Sequence, residues 1–333
     1  MPSVLKNIVA ATILVSLLPI FVSAQTNLNI ASTMSSELAI EMIPTYPRPN
    51  ETVYINLAMY TADLNSAEIF WYKDGKLELS GKGELRYSFS TGAIGKETNI
   101  EIRVVLQGGQ SFSRQIKINP ASVDLVWEAN SYTPPFYKGK ALHSRQGLLK
   151  IVAMPNFVRN GTTINPKTLI YEWSNGLTAY QSQSGYGKNI LLINGSMLGQ
   201  DDRIELLVRD PATNMVTNGF LTISPVDPEL VFYEKNPFYG YIFEKSLGNN
   251  TSMKGEELEV WTAPYNLSNE NPKSLVYEWR LNGSVAPELY NSRSAVFRRP
   301  EEVSGNSNIS LKIENLNRIL QYVENTLMIK FEE

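Results

Sequence analysis

The sequence predicts an all-β protein made of three tandem antiparallel β-sandwich domains. Three short aromatic stretches repeat one pattern along the 333 residues of the chain. They lie roughly a hundred residues apart, whereas solenoid repeats recur about every 20–50 residues, so this spacing indicates complete small domains in series. The stretches are residues 69–75 (IFWYKDG), 170–176 (IYEWSNG) and 276–283 (VYEWRLNG).

Alternation of apolar and polar residues predicts the strands. Residues 53–57, 100–104 and 309–313 alternate with a period of two, which places one side chain in the core and the next in solvent. Each aromatic stretch ends in Asp-Gly or Asn-Gly, a pair suited to the tight turn of a β-hairpin. Only residues 316–323 depart from this pattern, and there we expect a packed turn or a short helix.

The first residues are typical of a secretory signal peptide. Lys6 precedes an apolar run over residues 8–22, and residues 22–24 (VSA) fit a cleavage site. The run is shorter than the ~20 residues that a spanning helix needs, so we expect cleavage rather than an uncleaved anchor. The predicted divisions are the signal peptide 1–24, an N-terminal linker 25–36, module 1 at 37–120, module 2 at 121–225 and module 3 at 226–333.

The composition limits the partners and the compartment. The chain has no cysteine, so each module must be stabilised by its own core rather than by disulfides, as is more typical of bacterial than of animal extracellular sandwiches. The formal net charge of −3 favours neither nucleic acid nor an anionic membrane as a partner. We expect an exported protein of the periplasm, the cell surface or the extracellular space, without membrane insertion of the mature chain.

Two motifs resemble known sandwich domains. Residues 49–53 (PNETV) followed by 71–75 (WYKDG) resemble the second and third strands of an immunoglobulin-like domain. The Y-x-W at 171–173 and at 277–279 resembles the Y-x-W of PKD repeats. The resemblance implies a β-sandwich of about seven strands in each module and brings no catalytic residues with it.

The two resemblances differ over which aromatic residues of module 1 are buried. The immunoglobulin-like pattern buries Trp71. Alignment with modules 2 and 3 instead buries Phe70 and Tyr72, and we prefer this internal alignment.

The links between modules contain prolines that restrict the backbone. Pro120 and Pro225 lie in short links that are not Gly/Ser coils, so we expect a semi-rigid rod. Asp124, Asp227 and Glu229 near these links invite comparison with calcium-binding joints. Calcium needs six to eight oxygen ligands, and the few carboxylates at each link instead favour ordinary turn residues.

A duplicated aromatic segment is the most distinctive candidate for a binding surface. Residues 127–142 and 232–247 both place Pro-Phe-Tyr shortly after the first strand of a module. Aromatic rings are favoured at protein interfaces, and flat rings also stack on sugars. The alternative is that the rings pack against a neighbouring module and only stiffen the joint. The candidate residues are Tyr132, Phe136, Tyr137, Phe238, Tyr239 and Tyr241.

The sequence shows no catalytic or metal-binding constellation. His143 is the only histidine, and we expect it to be a solvated loop residue, because zinc sites need three or four ligands. Paired acids at 201–202, 256–257 and 301–302 point to opposite faces of a strand, unlike the facing carboxylates of a glycosidase. We therefore expect no enzyme activity, no cofactor and no metal.

Together these features favour an exported, non-enzymatic interaction or spacer protein of the cell surface or envelope. The alternative is a carbohydrate-binding protein accessory to a polysaccharide-acting system. The partner is accordingly a protein or a glycan. Residues 326–331 also resemble an edge strand open to another chain, although pairing within module 3 is the simpler expectation.

Overall fold

Every regular element in the described part of the chain is a β-strand or a one-turn 3-10 helix. The computed structural model describes residues 38–213, 215–299 and 304–331. The predicted signal peptide and N-terminal linker lie outside the described residues. Within those ranges, no helix is long and apolar enough to cross a membrane. The all-β prediction is confirmed. The 3-10 helices are Leu64–Ser66, Pro166–Thr168, Gln181–Gln183, Pro272–Ser274 and Pro287–Leu289.

Module 1 consists of seven antiparallel strands in two sheets. The sheet orders are β1-β2-β5 and β4-β3-β6-β7. The chain changes sheet between β5 and β6, where the sequence has a glycine-rich crossover. The strands are β1 Ala39–Ile43, β2 Thr52–Ala58, β3 Glu68–Lys73, β4 Lys76–Lys82, β5 Arg86–Ser90, β6 Thr98–Val105 and β7 Ser111–Ile118.

Module 2 repeats this arrangement and adds a small hairpin. Its sheets have the orders β14-β9-β8 and β13-β12-β15-β16, and β10 pairs with β11 alone. The strands are β8 Ser122–Ala129, β9 Leu148–Asn156, β10 Val158–Arg159, β11 Thr162–Thr163, β12 Ile170–Ser174, β13 Gly185–Tyr186, β14 Ile190–Asn194, β15 Asp202–Arg209 and β16 Val216–Ile223.

Module 3 has the same two layers with additional strands. Its sheets have the orders β18-β17-β20-β23 and β19-β25-β24-β21-β22. The strands are β17 Glu229–Asn236, β18 Gly240–Ser246, β19 Asn250–Met253, β20 Glu257–Tyr265, β21 Leu275–Leu281, β22 Ser284–Val285, β23 Ser294–Arg298, β24 Gly305–Asn315 and β25 Tyr322–Phe331.

The final strand pairs within module 3 on both sides, so the simpler expectation is confirmed and an open edge strand is not formed. β25 pairs antiparallel with β24 along its length. Its last residues, Met328 to Phe331, also pair in parallel with β19. The residues that follow β18 return to this sheet and cover the backbone groups that would otherwise be free. Of the two alternatives expected near 316–323, the turn is formed and the short helix is not, and the chain enters β25 at Tyr322.

A tryptophan from the aromatic repeat lies at the centre of each sandwich. Trp71, Trp173 and Trp279 are fully buried. Each indole N–H donates to a backbone carbonyl oxygen 2.8–2.9 Å away, which satisfies the one polar group of the ring. The two packed sheets around each tryptophan form an immunoglobulin-like β-sandwich, as predicted.

The preferred alignment of module 1 is wrong by one residue. Trp71 is buried and takes the position of the other two tryptophans, whereas Phe70 and Tyr72 are only partly buried. Because side chains alternate between the two faces of a strand, a shift of one residue exchanges core and surface. Ile69, also fully buried, occupies the place that a tyrosine has in modules 2 and 3.

Each hydrophobic core draws on one continuous stretch of sequence, namely 38–118, 121–223 or 230–331. The predicted boundaries near residues 120 and 225 fall between these cores. The links are short, since β7 ends at Ile118 and β8 begins at Ser122, while β16 ends at Ile223 and β17 begins at Glu229.

Candidate binding site at the joint of modules 2 and 3

The segment that follows β8 leaves module 2 and pairs with the backbone of module 3. The Tyr132 N–H donates to the Leu267 carbonyl oxygen at 2.8 Å, and the Asn266 N–H donates to the Tyr132 carbonyl oxygen at 3.2 Å. Nearby, the Asn269 N–H donates to the Asn130 carbonyl oxygen at 3.1 Å. Residues about 135 apart in sequence thus form a short ladder across the joint.

A buried amide joins three loops at this joint. The Gln321 side chain is 1 % exposed. Its oxygen accepts from the Ser268 N–H at 2.9 Å and from the Asn315 side-chain amide at 3.2 Å. Its nitrogen donates to Ser144 Oγ at 3.2 Å and to the Arg145 carbonyl oxygen at 2.8 Å. All four hydrogen-bonding positions of the amide are therefore used, which fixes the loops relative to one another.

An arginine on the same turn of module 3 extends the contact. The Arg318 guanidinium donates to the Gln146 carbonyl oxygen, lies 3.3 Å from Asn194 Oδ1 and forms an ion pair with Glu270 at 2.5 Å. The Leu320 N–H donates to Gln146 Oε1 at 2.9 Å. Arg318 and Gln321 together make the joint lock, the name used below for these two side chains and their partners.

His143 is a buried residue and not the solvated loop residue that we expected. It is 1 % exposed, and its Nε2 lies 3.0 Å from Asp202 Oδ2. Its carbonyl oxygen accepts from the Val226 N–H at 2.7 Å, in the link to module 3. The polar stretch around it is folded into the joint, so its local hydrophilicity did not indicate exposure.

The Pro-Phe-Tyr of module 2 directs one ring inwards and one outwards. Tyr137 packs edge-on against Tyr265 of module 3, with ring centroids 5.8 Å apart. Gly139 permits this fold, because a Cβ there would lie 2.6 Å from the Tyr137 ring. Phe136 has a φ of 62° and is 95 % exposed. A bulky side chain in the left-handed region is uncommon and strained.

The Pro-Phe-Tyr of module 3 forms the tip of the β17–β18 hairpin. The Asn236 side-chain oxygen accepts from the Phe238 N–H at 2.9 Å and from the Tyr239 N–H at 3.2 Å. Gly240 closes the turn with a φ of 75°, a conformation that suits glycine. This turn presents Phe238 and Tyr239, which are 91 % and 82 % exposed.

An aromatic cluster on the outer face of the β17–β20 sheet supports both segments. Tyr241 lies 5.0 Å from Trp261, centroid to centroid, and Trp261 lies 5.4 Å from Phe243. The hydroxyls of Tyr233 and Tyr265 are 2.8 Å apart. Burial raises the pKa of the Tyr265 hydroxyl, and the hydrogen bond with Tyr233 adds to this effect.

The two Pro-Phe-Tyr segments meet at a single groove. Its volume is about 660 Å³, and residues from both modules line it, which is a size common among ligand sites. We call it the aromatic groove. Its principal side chains are Phe136, Tyr137, Lys138, Tyr239, Tyr241 and Glu244.

Four of the six predicted surface residues line the aromatic groove, and two lie elsewhere. Phe238 is exposed at the hairpin tip beside it. Tyr132 is half-buried in the joint, where the Arg293 guanidinium lies 4.4 Å from its ring centroid. Burial raises the pKa of Tyr132 to about 12. The position of Tyr132 agrees with the alternative expectation, in which these rings pack against a neighbouring module and stiffen the joint.

Sequence reasoning missed the supporting residues Trp261 and Tyr265. The signal was present in β20, where only Glu259 and Thr262 are polar between Leu258 and Tyr265. A strand that is apolar on both faces is covered on both faces. The core of module 3 covers only one face of β20, so the other face must be covered by other residues.

In the described ranges, no three His, Asp or Glu side chains come together as metal ligands would. Asp227, one of the acids at the links, lies 3.6 Å from the Arg145 guanidinium. The aromatic groove offers ring faces, a few hydroxyls and the opposite charges of Lys138 and Glu244.

Comparison with known proteins shows only likeness of fold. No protein-family model and no curated protein matches the sequence. Three N-terminal domains of the outer capsid protein Hoc of bacteriophage RB49 are 11% identical, with 89% of this chain and 98% of that chain covered at a TM-score of 0.27. The central fibronectin-III array of RIM-binding protein is 12% identical, with coverages of 88% and 96% and a TM-score of 0.29.

A third structure is the Bacteroides ovatus protein SGBP-B in complex with a mixed-linkage heptasaccharide. It is 11% identical, with 88% of this chain and 70% of that chain covered, at a TM-score of 0.21. None of these likenesses assigns a ligand to the chain. The paired sheets of the described residues, and not these likenesses, define the chain as an array of immunoglobulin-like sandwiches.

Proposed function

We propose that the chain is an exported, non-enzymatic array that binds a partner in the cell envelope or at the cell surface through the aromatic groove. The observation that carries this proposal is the convergence of the two Pro-Phe-Tyr segments. They belong to different modules, yet their rings line one groove. Module 1 lacks such a segment and acts as a spacer.

The exposure of the rings supports a binding role. Phe136, Phe238 and Tyr239 have almost their whole surface in solvent, although none of the three cores requires this. Clustered exposed apolar groups on a soluble protein commonly mark an interaction site. Phe136 also has a strained backbone conformation, which is a further reason to suspect function.

Binding of the purified chain to envelope fractions of the producing organism tests the proposal. The variant F136A/F238A/Y239A removes three exposed rings at the groove, and we expect saturable binding to fall by at least about tenfold. A matched control is Y60A/Y186A/F220A, which removes three exposed rings from modules 1 and 2. The control should bind like the original chain. Equal binding by all three proteins would exclude the groove as the site.

A further inference from the structure

We infer that the aromatic groove binds a neutral polysaccharide chain of the envelope, with the faces of its pyranose rings against Tyr239, Tyr241 and Phe136. This inference rests on the proposed function, whose site it shares. A pyranose has apolar C–H faces and a rim of hydroxyls. The groove offers the complement, since its walls are aromatic rings from both modules.

The charge of the groove favours an uncharged ligand. Lys138 and Glu244 are the charged side chains that line it, so their charges cancel. A polyanion would be attracted by Lys138 and repelled by Glu244, whereas a polycation would be repelled by Lys138 and attracted by Glu244. Neutral hydroxyls can hydrogen-bond to both side chains, and to exposed tyrosine hydroxyls, at no such cost.

The surroundings of the groove favour a narrow ligand over the face of a folded protein. A stable protein interface buries about 800 Å² on each partner. Lys138 and Glu244, which line the groove, are both exposed, and lysine and glutamate are depleted from the centres of protein interfaces. A folded protein docked here would have to bury both of these charges.

Strand β18, which borders the groove, is poorly suited to binding an extended peptide. β18 lies at the edge of its sheet, where a peptide could in principle add as a further strand. Its register with β17 shifts between Tyr233 and Lys235, so β18 is bulged. A bulged edge lacks the regular row of N–H and C=O groups that strand addition uses.

A single ring distinguishes stacking from other contacts. Tyr239→Ala removes the ring face and should weaken binding by on the order of tenfold. Tyr239→Phe keeps the ring and should change binding by less than about twofold. Because the groove is neutral, raising the salt concentration from about 50 to 500 mM should also change binding by less than about twofold. A strong salt dependence would contradict a neutral ligand.

The deciding experiment uses the full mature chain and two treated envelope fractions. One fraction is digested with protease and freed of lipid, which leaves the polysaccharide. The other is oxidised with periodate, which cleaves the vicinal diols of sugar rings and leaves most peptide bonds intact. We expect the chain to bind the digested fraction and not the oxidised one, with Y239A weakened and the Y60A/Y186A/F220A control unchanged.

Failure of this inference is distinguishable from failure of the proposed function. If binding depends on the groove rings in untreated envelopes but is absent from the digested fraction, the ligand is not a polysaccharide and the proposed function stands. If untreated envelopes bind the chain and the F136A/F238A/Y239A variant equally, the proposed function itself is wrong.

Discussion

The two joints of this array are built differently, although each has a short link with a proline. At the first joint, the Gly95 N–H donates to the Pro120 carbonyl oxygen at 3.3 Å, and the backbone of Gly95 lies close against Val158 of module 2. At the second joint, a backbone ladder, the buried Gln321 and the Arg318 contact with Gln146 connect loops of both modules. Link length alone therefore does not determine how firmly two neighbouring sandwiches are held.

The difference coincides with the position of the aromatic groove. A site built from two domains binds well only if those domains keep a fixed relative position. The joint lock lies beside the segments that line the groove and contributes no side chain to its walls. We infer that the lock preserves the groove, whereas the first joint only spaces module 1 from it.

The largest expected effect is at the crossover of module 2. In the substitution Gly195→Ala, the added Cβ would lie 1.9 Å from His143 Cε1 and 3.0 Å from Asp202 Oδ2, and the His143 ring is buried and in contact with that carboxylate. We expect the free energy of unfolding to fall by about 3 kcal/mol or more. Chemical denaturation measures this change.

The matched control is Gly92→Ala at the corresponding crossover of module 1. There the three atoms nearest the added Cβ all belong to the Lys96 side chain, at 3.0 Å. The free energy of unfolding should fall by less than about 1 kcal/mol. If both substitutions lowered the free energy of unfolding equally, the crossover of module 2 would not be more tightly packed than that of module 1.

The second expected effect comes from the buried amide of the lock. Gln321→Ala leaves four polar groups of the joint without their partner, and we expect a loss of about 2–3 kcal/mol, with faster hydrogen exchange at the Ser268 amide. The control is Asn119→Ala, whose exposed amide donates to Glu97 at the first joint at 3.2 Å. This control substitution should lower the free energy of unfolding by less than about 0.5 kcal/mol. Unchanged exchange at Ser268 in Gln321→Ala would argue against the lock.

A smaller effect is expected at high pH. Burial raises the pKa of Tyr132 to about 12, while an exposed tyrosine in the unfolded chain titrates near about 10. The folded state holds this proton more tightly, so the stabilisation is complete below about pH 10 and is lost as the pH rises towards 12. Thermal unfolding between pH 9 and 11.5 or so should show a shallower decline for Tyr132→Phe. An identical decline would contradict a role for Tyr132 in the joint.

The sequence was sufficient for features that repeat locally. The aromatic stretches located the cores around Trp173 and Trp279, and the duplicated Pro-Phe-Tyr located both walls of the groove. The register of β3 was missed because Phe70, Trp71 and Tyr72 are all aromatic, and alternation cannot then decide which face is buried.

The lock could not be predicted from the sequence. Ser144, Ser268 and Gln321 are ordinary polar residues in turns, and nothing local distinguishes them from solvated ones. They become a buried network only when modules 2 and 3 are in place. His143 was misjudged for the same reason, since its burial depends on residues about 60 positions away in module 2 and on the link to module 3.

The most direct test of this account is the binding of R318A/Q321A to untreated envelope fractions. Neither residue lines the groove, so all of its aromatic rings remain. With the fold retained by circular dichroism, we expect binding to weaken by on the order of tenfold, because modules 2 and 3 no longer hold their rings together. Binding equal to that of the original chain would show that the groove does not depend on the lock, and would contradict the account.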